Sequence, residues 1–384
     1  MLEKRYLVTP GPTPVPPEVL AATAQPMIHH RSPDFRGMLA RVLERLKVVF
    51  RTDDDMLLFT SAGTAALESA VANICSPGER VLVVSHGYFG ERWASIARGY
   101  GLEVEQLRYE WGETPAPEEV GARLEEIGGA KAVYVTHSET STGVVSDVQA
   151  IAERVADSGA LLCVDAISSL AAVPLETDAW GLDVVITSSH KALMCPPGLA
   201  FASVSAAALE ATRTAACPRF YMDWERARAA QERGENPFSP AISLVVGLDV
   251  ALSLLLEEGL EAAHERHVRL GRACRAGVKA MGLELFSPDE DRAAVVTAIR
   301  APTDVDGSAL VLSMRERSGV TVIGGQGPLK GKLVRIGHIG YIDVHDVTTA
   351  LSALEQALVE AGADVERGAA VPAALDAWAA PVTA

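Results

Sequence analysis

Residues 183–201 read DVVITSSHKALMCPPGLAF, an apolar, β-branched run that ends in Ser189, His190 and Lys191 and then meets a Pro-Pro-Gly turn. Such a run, with no polar alternation, predicts a strand covered on both faces, as in a parallel sheet between two helical layers. Ligands of open α/β sheets gather at the carboxyl ends of the strands, so a lysine there is placed for Schiff-base chemistry. Taken alone, Lys191 reads more simply as a lysine in a surface loop.

Just upstream, residues 161–170, LLCVDAISSL, form a second apolar run ending in Asp165. A carboxylate at that position is costly to bury unless something cationic faces it. A protonated pyridine nitrogen would serve, and a lysine plus an acid on neighbouring strand ends is what pyridoxal phosphate (PLP) demands of a protein. For Asp165 by itself, a helix N-cap is the simpler reading. Further upstream, FTSAGTAALESA (59–70) passes from a strand through small residues into a helix. There Ala62, Gly63 and Thr64 would offer backbone N–H groups and a hydroxyl to a phosphate at a helix N-terminus. The segment has neither the G-x-G-x-x-G of dinucleotide sites nor the G-K-[ST] of a P-loop, and an ordinary strand-to-helix turn remains open.

From these segments outward, β-branched runs alternate with amphipathic stretches. Strands are expected at 56–60, 80–85, 102–108, 132–136, 161–165, 183–187 and 198–204, with helices at 65–74, 91–100, 117–127 and 147–158. This alternation predicts an α/β domain with a mainly parallel sheet flanked by helices. After about Pro240 come two long helices, 242–258 and 260–281. Strand 294–300, helix 307–318, strand 333–337 and helix 344–361 follow, an α+β pattern suited to a smaller C-terminal domain. The Ala- and Pro-rich stretch from Gly368 has little periodicity and is expected to be a flexible tail.

The chain has 384 residues, 34 Lys plus Arg against 50 Asp plus Glu, and a net charge of −16. That balance argues against nucleic acid or an anionic membrane as partner. The most apolar long segment, 242–256, contains Asp249 and is too short to cross a bilayer. Five scattered cysteines without C-x-x-C spacing indicate neither a disulfide framework nor a zinc ribbon and suit a reducing cytoplasm. The opening MLEKRYLVTPGPTPVPP lacks the apolar stretch of a secretion signal. His264 and His267 are spaced for one helix face and are expected to be solvated, with no metal bound.

Seven segments carry a family resemblance: TPGPTPVPPEVL (9–20), SAGTAALE (61–68), HGYFGER (86–92), THSETSTGV (136–144), VDAISSLA (164–171), SSHKALMCPPGLAF (188–201) and KLVRIGHIG (332–340). In this order they resemble the class V, fold type I, PLP-dependent aminotransferases, in the branch of alanine–glyoxylate, serine–glyoxylate and serine–pyruvate enzymes. The resemblance spans about Leu7 to Ala361. It implies that Lys191 is the Schiff-base lysine and that Asp165 partners the ring nitrogen. Phe89 would stack on the cofactor ring, Ile167 would pack on its other face, and Thr140 would stand near the ring oxygen. Ala62, Gly63, Thr64 and His190 would hold the phosphate, and Ser239, in PFSPAIS (237–243), would reach a phosphate in the other subunit of a homodimer. Arg335 would clamp the substrate carboxylate with a fork that lysine cannot reproduce. HHRSPDF (29–35) resembles an N-terminal active-site segment, although two adjacent histidines on a loop could equally be solvated. The implied layout is an N-terminal active-site segment (1–20), a PLP-binding domain (21–240), a linking helix region (241–265), a small domain (266–363) and the tail (364–384).

The expected activity is transfer of an amino group from a small L-amino acid, alanine or serine, to a small 2-oxo acid, glyoxylate or pyruvate, with ping-pong kinetics. His190 and Phe89 depart from residues common in the branch, Gln and Trp. Because a histidine before the lysine also occurs in cysteine desulfurases, that reaction stays open, with Cys195 and Cys217 read as structural thiols. Aspartate or pyridoxamine as amino donor stays open as well, as does a non-catalytic PLP-binding regulatory module.

Overall fold

The computed structural model describes residues 4–381. Seven strands form the central sheet, side by side in the order Asp55–Thr60, Leu199–Val204, Val184–Ser188, Leu161–Asp165, Ala132–Thr136, Arg80–Ser85 and Glu103–Arg108. Leu199–Val204 runs antiparallel to both its neighbours, and the other six strands share one direction. The strand Arg80–Ser85 shows why these runs lack polar alternation. Leu82 and Val84 enter one core with Leu39, Leu46 and Leu248, while Val81 and Val83 enter a second core with Leu67, Trp93 and Ala97. Both faces of the sheet are therefore apolar.

Six codirectional strands put their carboxyl ends along one edge, and the turns there open helices such as Gly63–Ile74 and Tyr88–Gly99. Most residues singled out from sequence, Arg335 and Ser239 excepted, lie in or just after these turns, which is the physical reason segments so distant in sequence can meet.

The second unit has a three-stranded antiparallel sheet, Val296–Arg300, Leu333–Gly337 and Ile323–Gly324, covered by helices Leu260–Ala280, Gly307–Ser318 and Val344–Glu360. Its core includes Val8, because Tyr6–Leu7 pairs in parallel with Val320–Thr321 and the Gly337 amide donates to the Val8 carbonyl at 3.0 Å. The two long helices of the linking region are separate, Ile242–Glu258 ending at Gly259, whose φ of +86° favours glycine.

Two expectations are corrected and one helix is added. The stretch after Gly368 is a helix, Ala370–Ala379, whose Ala370 and Ala374 are fully buried and whose Trp378 lies under the Arg269 guanidinium at 4.2 Å. Its apolar face is built from alanines, which gave little periodic contrast; residues 382–384 of the expected tail lie outside the described residues. His267 is buried, its Nε2 accepting the Gly340 amide at 3.0 Å. The sequence reading also omitted an 18-residue helix, Pro33–Phe50, opened by Ser32 capping the Phe35 amide and Pro33 in the first turn. Among the described residues no helix is long and apolar enough to cross a membrane.

Candidate active site

Asp165 closes the strand Leu161–Asp165, and Lys191 follows the adjacent parallel strand Val184–Ser188 by three residues. Both are buried. Burial pushes the Asp165 carboxyl up to about 7 and Glu139 adds to the shift, against the opposing pull of the Ile167 amide, Lys191 and Arg92. Burial likewise brings the Lys191 amine down to about 8; Asp165 opposes this, and the Arg335 and Arg92 charges reinforce it. Desolvation thus outweighs the attraction between the two, and each tends toward its neutral form. The Lys191 amine donates to the Pro10 carbonyl at 2.5 Å, and Thr13 Oγ1 donates to the Lys191 carbonyl at 3.1 Å. Gly11 lets the chain pass: with φ of +146°, any Cβ there would lie 2.2 Å from Lys191 Nζ.

One end of the site is an anion cradle. The helix Gly63–Ile74 starts at Ala62 with no side-chain cap and no acid in its first turn, so its leading amides stay available. Among the described residues the buried Ser61 Oγ has no partner. A Cβ on Gly63 would approach Ile167 Cδ1 to 2.7 Å, so the cradle and the residues after Asp165 adjoin. Arg92 Nη1 donates to Thr64 Oγ1 at 3.2 Å, with its guanidinium over the Phe89 ring at 4.8 Å. His190 sits beside Ser188 Oγ at 3.2 Å and is pushed down to about 4 by burial, then by Lys191, which keeps the ring neutral at pH 7.

The other end holds Arg335, fully enclosed in the strand Leu333–Gly337. Its Nε and Nη2 donate to the Gly324 carbonyl at 2.9 and 2.7 Å, and its Nη1 donates to the Thr140 carbonyl. Among the described residues it forms no ion pair with a carboxylate. Three of its five N–H groups are used, which leaves one hydrogen on each Nη, the pair that a carboxylate takes. Burial lowers its pKa to about 10, Glu139 acting the other way, so it stays cationic at neutral pH.

These contacts gather Lys191, Asp165, Ile167, Gly63, Thr64, Phe89, Thr140 and Arg335, with Ala62 and His190 adjoining in sequence. Thr140 takes part through its backbone carbonyl to Arg335. Ser239 stands apart, exposed on a segment tied to the end of the first sheet strand where the Ala241 amide donates to Thr60 Oγ1 at 2.9 Å. His29 and His30 stack on each other at 4.6 Å before the helix Pro33–Phe50. Cys195 and Cys217 are buried thiols with pKa values pushed up by burial, Cys195 to about 12. Sequence reasoning missed Pro10, Arg92 and Glu139. The last had a signal, a lone acid in the polar but buried stretch THSETSTG.

The pattern fits PLP on observations of the chain itself: an uncapped helix end beside an orphaned hydroxyl for a phosphate, a buried acid for a ring cation, and a lysine of lowered pKa between them. The sequence matches the family described as Aminotransferase class-V over residues 5–348. The chain belongs to the class V aminotransferases. Among relatives of this aminotransferase, a Synechococcus protein named "Soluble hydrogenase, small subunit" is 42% identical, with 97% of this chain and 98% of the relative covered. A serine–glyoxylate aminotransferase of Methylorubrum extorquens is 35% identical over 97% of this chain and 95% of its own. The crystal structure of ureidoglycine–glyoxylate aminotransferase from Bacillus subtilis superposes with a TM-score of 0.94 at 32% identity, covering 98% of this chain and 99% of that one. The family makes this chain a transaminase and PLP its cofactor.

Proposed function

We propose that this aminotransferase moves the amino group of a small L-amino acid, alanine or serine, to a small 2-oxo acid, with glyoxylate the preferred acceptor and pyruvate the second. The carrying observation is Arg335, a buried guanidinium with no carboxylate partner among the described residues and one hydrogen left on each Nη. Both substrates carry the carboxylate it lacks. Among the described residues the other cation acting on Lys191 is Arg92, which is engaged at the phosphate end, so a monocarboxylate suits the site better than aspartate or 2-oxoglutarate. The glyoxylate relatives support the choice of acceptor.

In this reading Lys191 carries the proton. Its lowered pKa leaves part of the amine unprotonated at neutral pH, ready to take the Cα proton and give it back on the carbon across the amino nitrogen. The Pro10 carbonyl holds that amine when it is not covalently engaged. Asp165 would hold the ring nitrogen of PLP as an anion, Phe89 and Ile167 would hold the ring between them, and Thr140 would stand near its oxygen. The turn Ala62–Thr64, with Ser61 and His190, holds the phosphate. Bound PLP supplies a carbonyl carbon for the amine and a ring that takes up the electron pair left at Cα. The enzyme acts as a cytoplasmic homodimer, with Ser239 directed to the second site. Support for the dimer comes from the exposed Phe220 and Tyr221, packed with Phe238 beside Ser239.

The test is a panel of alanine, serine, aspartate and pyridoxamine against glyoxylate, pyruvate and 2-oxoglutarate, with borohydride reduction and peptide mapping of the holoenzyme. Parallel double-reciprocal lines, fastest turnover with glyoxylate and label on Lys191 are expected. Label on another lysine, or alanine formed from cysteine without an acceptor, with sulfide released when a thiol reductant is added, would refute the reading.

A further inference from the structure

An ion without a counter-ion seldom stays inside a protein, because desolvation costs several kcal/mol. Glu139 is nevertheless fully buried and forms no ion pair among the described residues. Four neutral donors hold it. Its Oε2 accepts the amides of Phe89 at 2.9 Å and Gly90 at 3.2 Å, and its Oε1 accepts the Ser141 amide at 3.1 Å and the Ser141 hydroxyl at 2.6 Å. Ser141 Oγ in turn accepts the Tyr88 amide at 3.0 Å.

Tyr88, Phe89 and Gly90 are the first three residues of the helix Tyr88–Gly99, whose amides have no partner within the helix. The residue at the N-cap, Gly87, has no side chain to offer. A carboxylate from a different strand-end turn does the capping, with charge of the sign that the helix N-terminus favours. The approach is close enough that a Cβ on Gly87 would lie 2.3 and 2.5 Å from Glu139 Cγ and Cδ. Gly87 has an extended backbone, so it is the space and not the torsion angle that requires glycine.

On its other side Glu139 is followed by Thr140, whose carbonyl accepts Arg335 Nη1. One dipeptide therefore braces the turn carrying Phe89 and the guanidinium meant for substrate. We propose that Glu139 is a positioning residue of the transamination site, fixing at once the face of Phe89 toward the cofactor ring and the height of Arg335 above it. The inference rests on the roles given to Phe89 and Arg335 above.

The decisive variant is Glu139→Gln, which keeps the shape but turns an NH2 toward one pair of donors. On protein with unchanged far-ultraviolet circular dichroism, three signals should move. The visible circular dichroism per bound PLP should fall at least about threefold, as the ring loses its fixed face. The Kd of the apoenzyme for PLP should rise roughly tenfold, the size of one charge-assisted hydrogen bond. The KM for glyoxylate should rise more than kcat falls. Ser141→Ala, which removes one acceptor and one donor, should shift the same signals by a smaller factor, and it serves if Glu139→Gln does not fold. The proposal is overturned if the folded variant keeps dichroism, Kd and KM within about twofold of wild type while only its melting temperature drops, the result for a simple helix cap. Phe89→Leu separates the two layers. A loss of dichroism in Phe89→Leu but not in Glu139→Gln sinks the positioning role alone, whereas no loss in Phe89→Leu sinks the stacking role and the proposal with it.

Discussion

Replacing Arg335 by lysine keeps a buried cation but removes the fork. Arginine there satisfies two backbone carbonyls and still presents a hydrogen on each Nη. An ammonium has three donors in all, so holding the carbonyls of Gly324 and Thr140 leaves one for substrate. Losing one charge-assisted bond to a carboxylate costs about 1.5–3 kcal/mol, which is about 10- to 150-fold in affinity. Since donor and acceptor share the carboxylate, both Michaelis constants should rise together. The structural side is smaller: the two bonds to Gly324 become one at best, a loss of about 1 kcal/mol, or roughly 1 °C in melting temperature for a chain of this size. The assay is initial rates over a grid of alanine and glyoxylate concentrations, with cofactor absorbance and a thermal melt on the same preparation. Unchanged Michaelis constants alongside a lowered melting point would show Arg335 to be a brace between strands and remove it from the substrate site.

Two further outcomes follow from the buried titratable groups. In the apoprotein Asp165 holds its proton up to about pH 7 instead of an ordinary 3.8, so its contribution to stability is present below about pH 4 and is lost as the pH rises through 7. The melting temperature of wild-type apoprotein minus that of Asp165→Asn should therefore decrease from pH 5 to pH 8, and a flat difference contradicts the burial argument; with PLP bound, the same variant should lose orders of magnitude in proton abstraction. All five cysteines are buried with thiol pKa values pushed up, to about 12 for Cys75 and Cys195 and about 11 for Cys274. The native enzyme should accordingly show less than one fast-reacting thiol per chain at pH 8, and stoichiometric labelling with loss of activity would reopen a thiol-based reaction.

Reading the sequence worked where one cause dominates. Strands such as 161–165 and 184–188 are covered on both sides, so composition alone marks them, and Asp165 and Lys191 stand out because a charge ends each run. It worked less well where contrast is low. Ala370–Ala379 packs through alanines, and Pro33–Phe50 mixes its apolar stripe with four cationic side chains whose stems cover the helix, although Phe35, Leu39, Val42 and Leu46 recur at helical spacing. Pro10 gave no signal, and Glu139 showed only as a lone acid in a polar stretch with its role hidden, for another reason. The first acts through a backbone carbonyl, and the second through amides of a helix that begins about fifty residues earlier, relations that no local pattern encodes.

The pairing of Tyr6–Leu7 with Val320–Thr321 sets a timetable for biosynthesis. On the ribosome the large sheet can emerge and fold while the strand that leads to Pro10 still has no partner, since its mate is made more than three hundred residues later. At roughly 5–20 residues per second that delay is about 15 to 60 seconds. In the last part of that interval, after Val204 completes the sheet, the newborn chain has its large sheet but not yet Arg335, and so no finished catalytic pocket. A cell thus meets this enzyme first as an inactive intermediate, and the two ends of the chain must find each other before the smaller unit is complete.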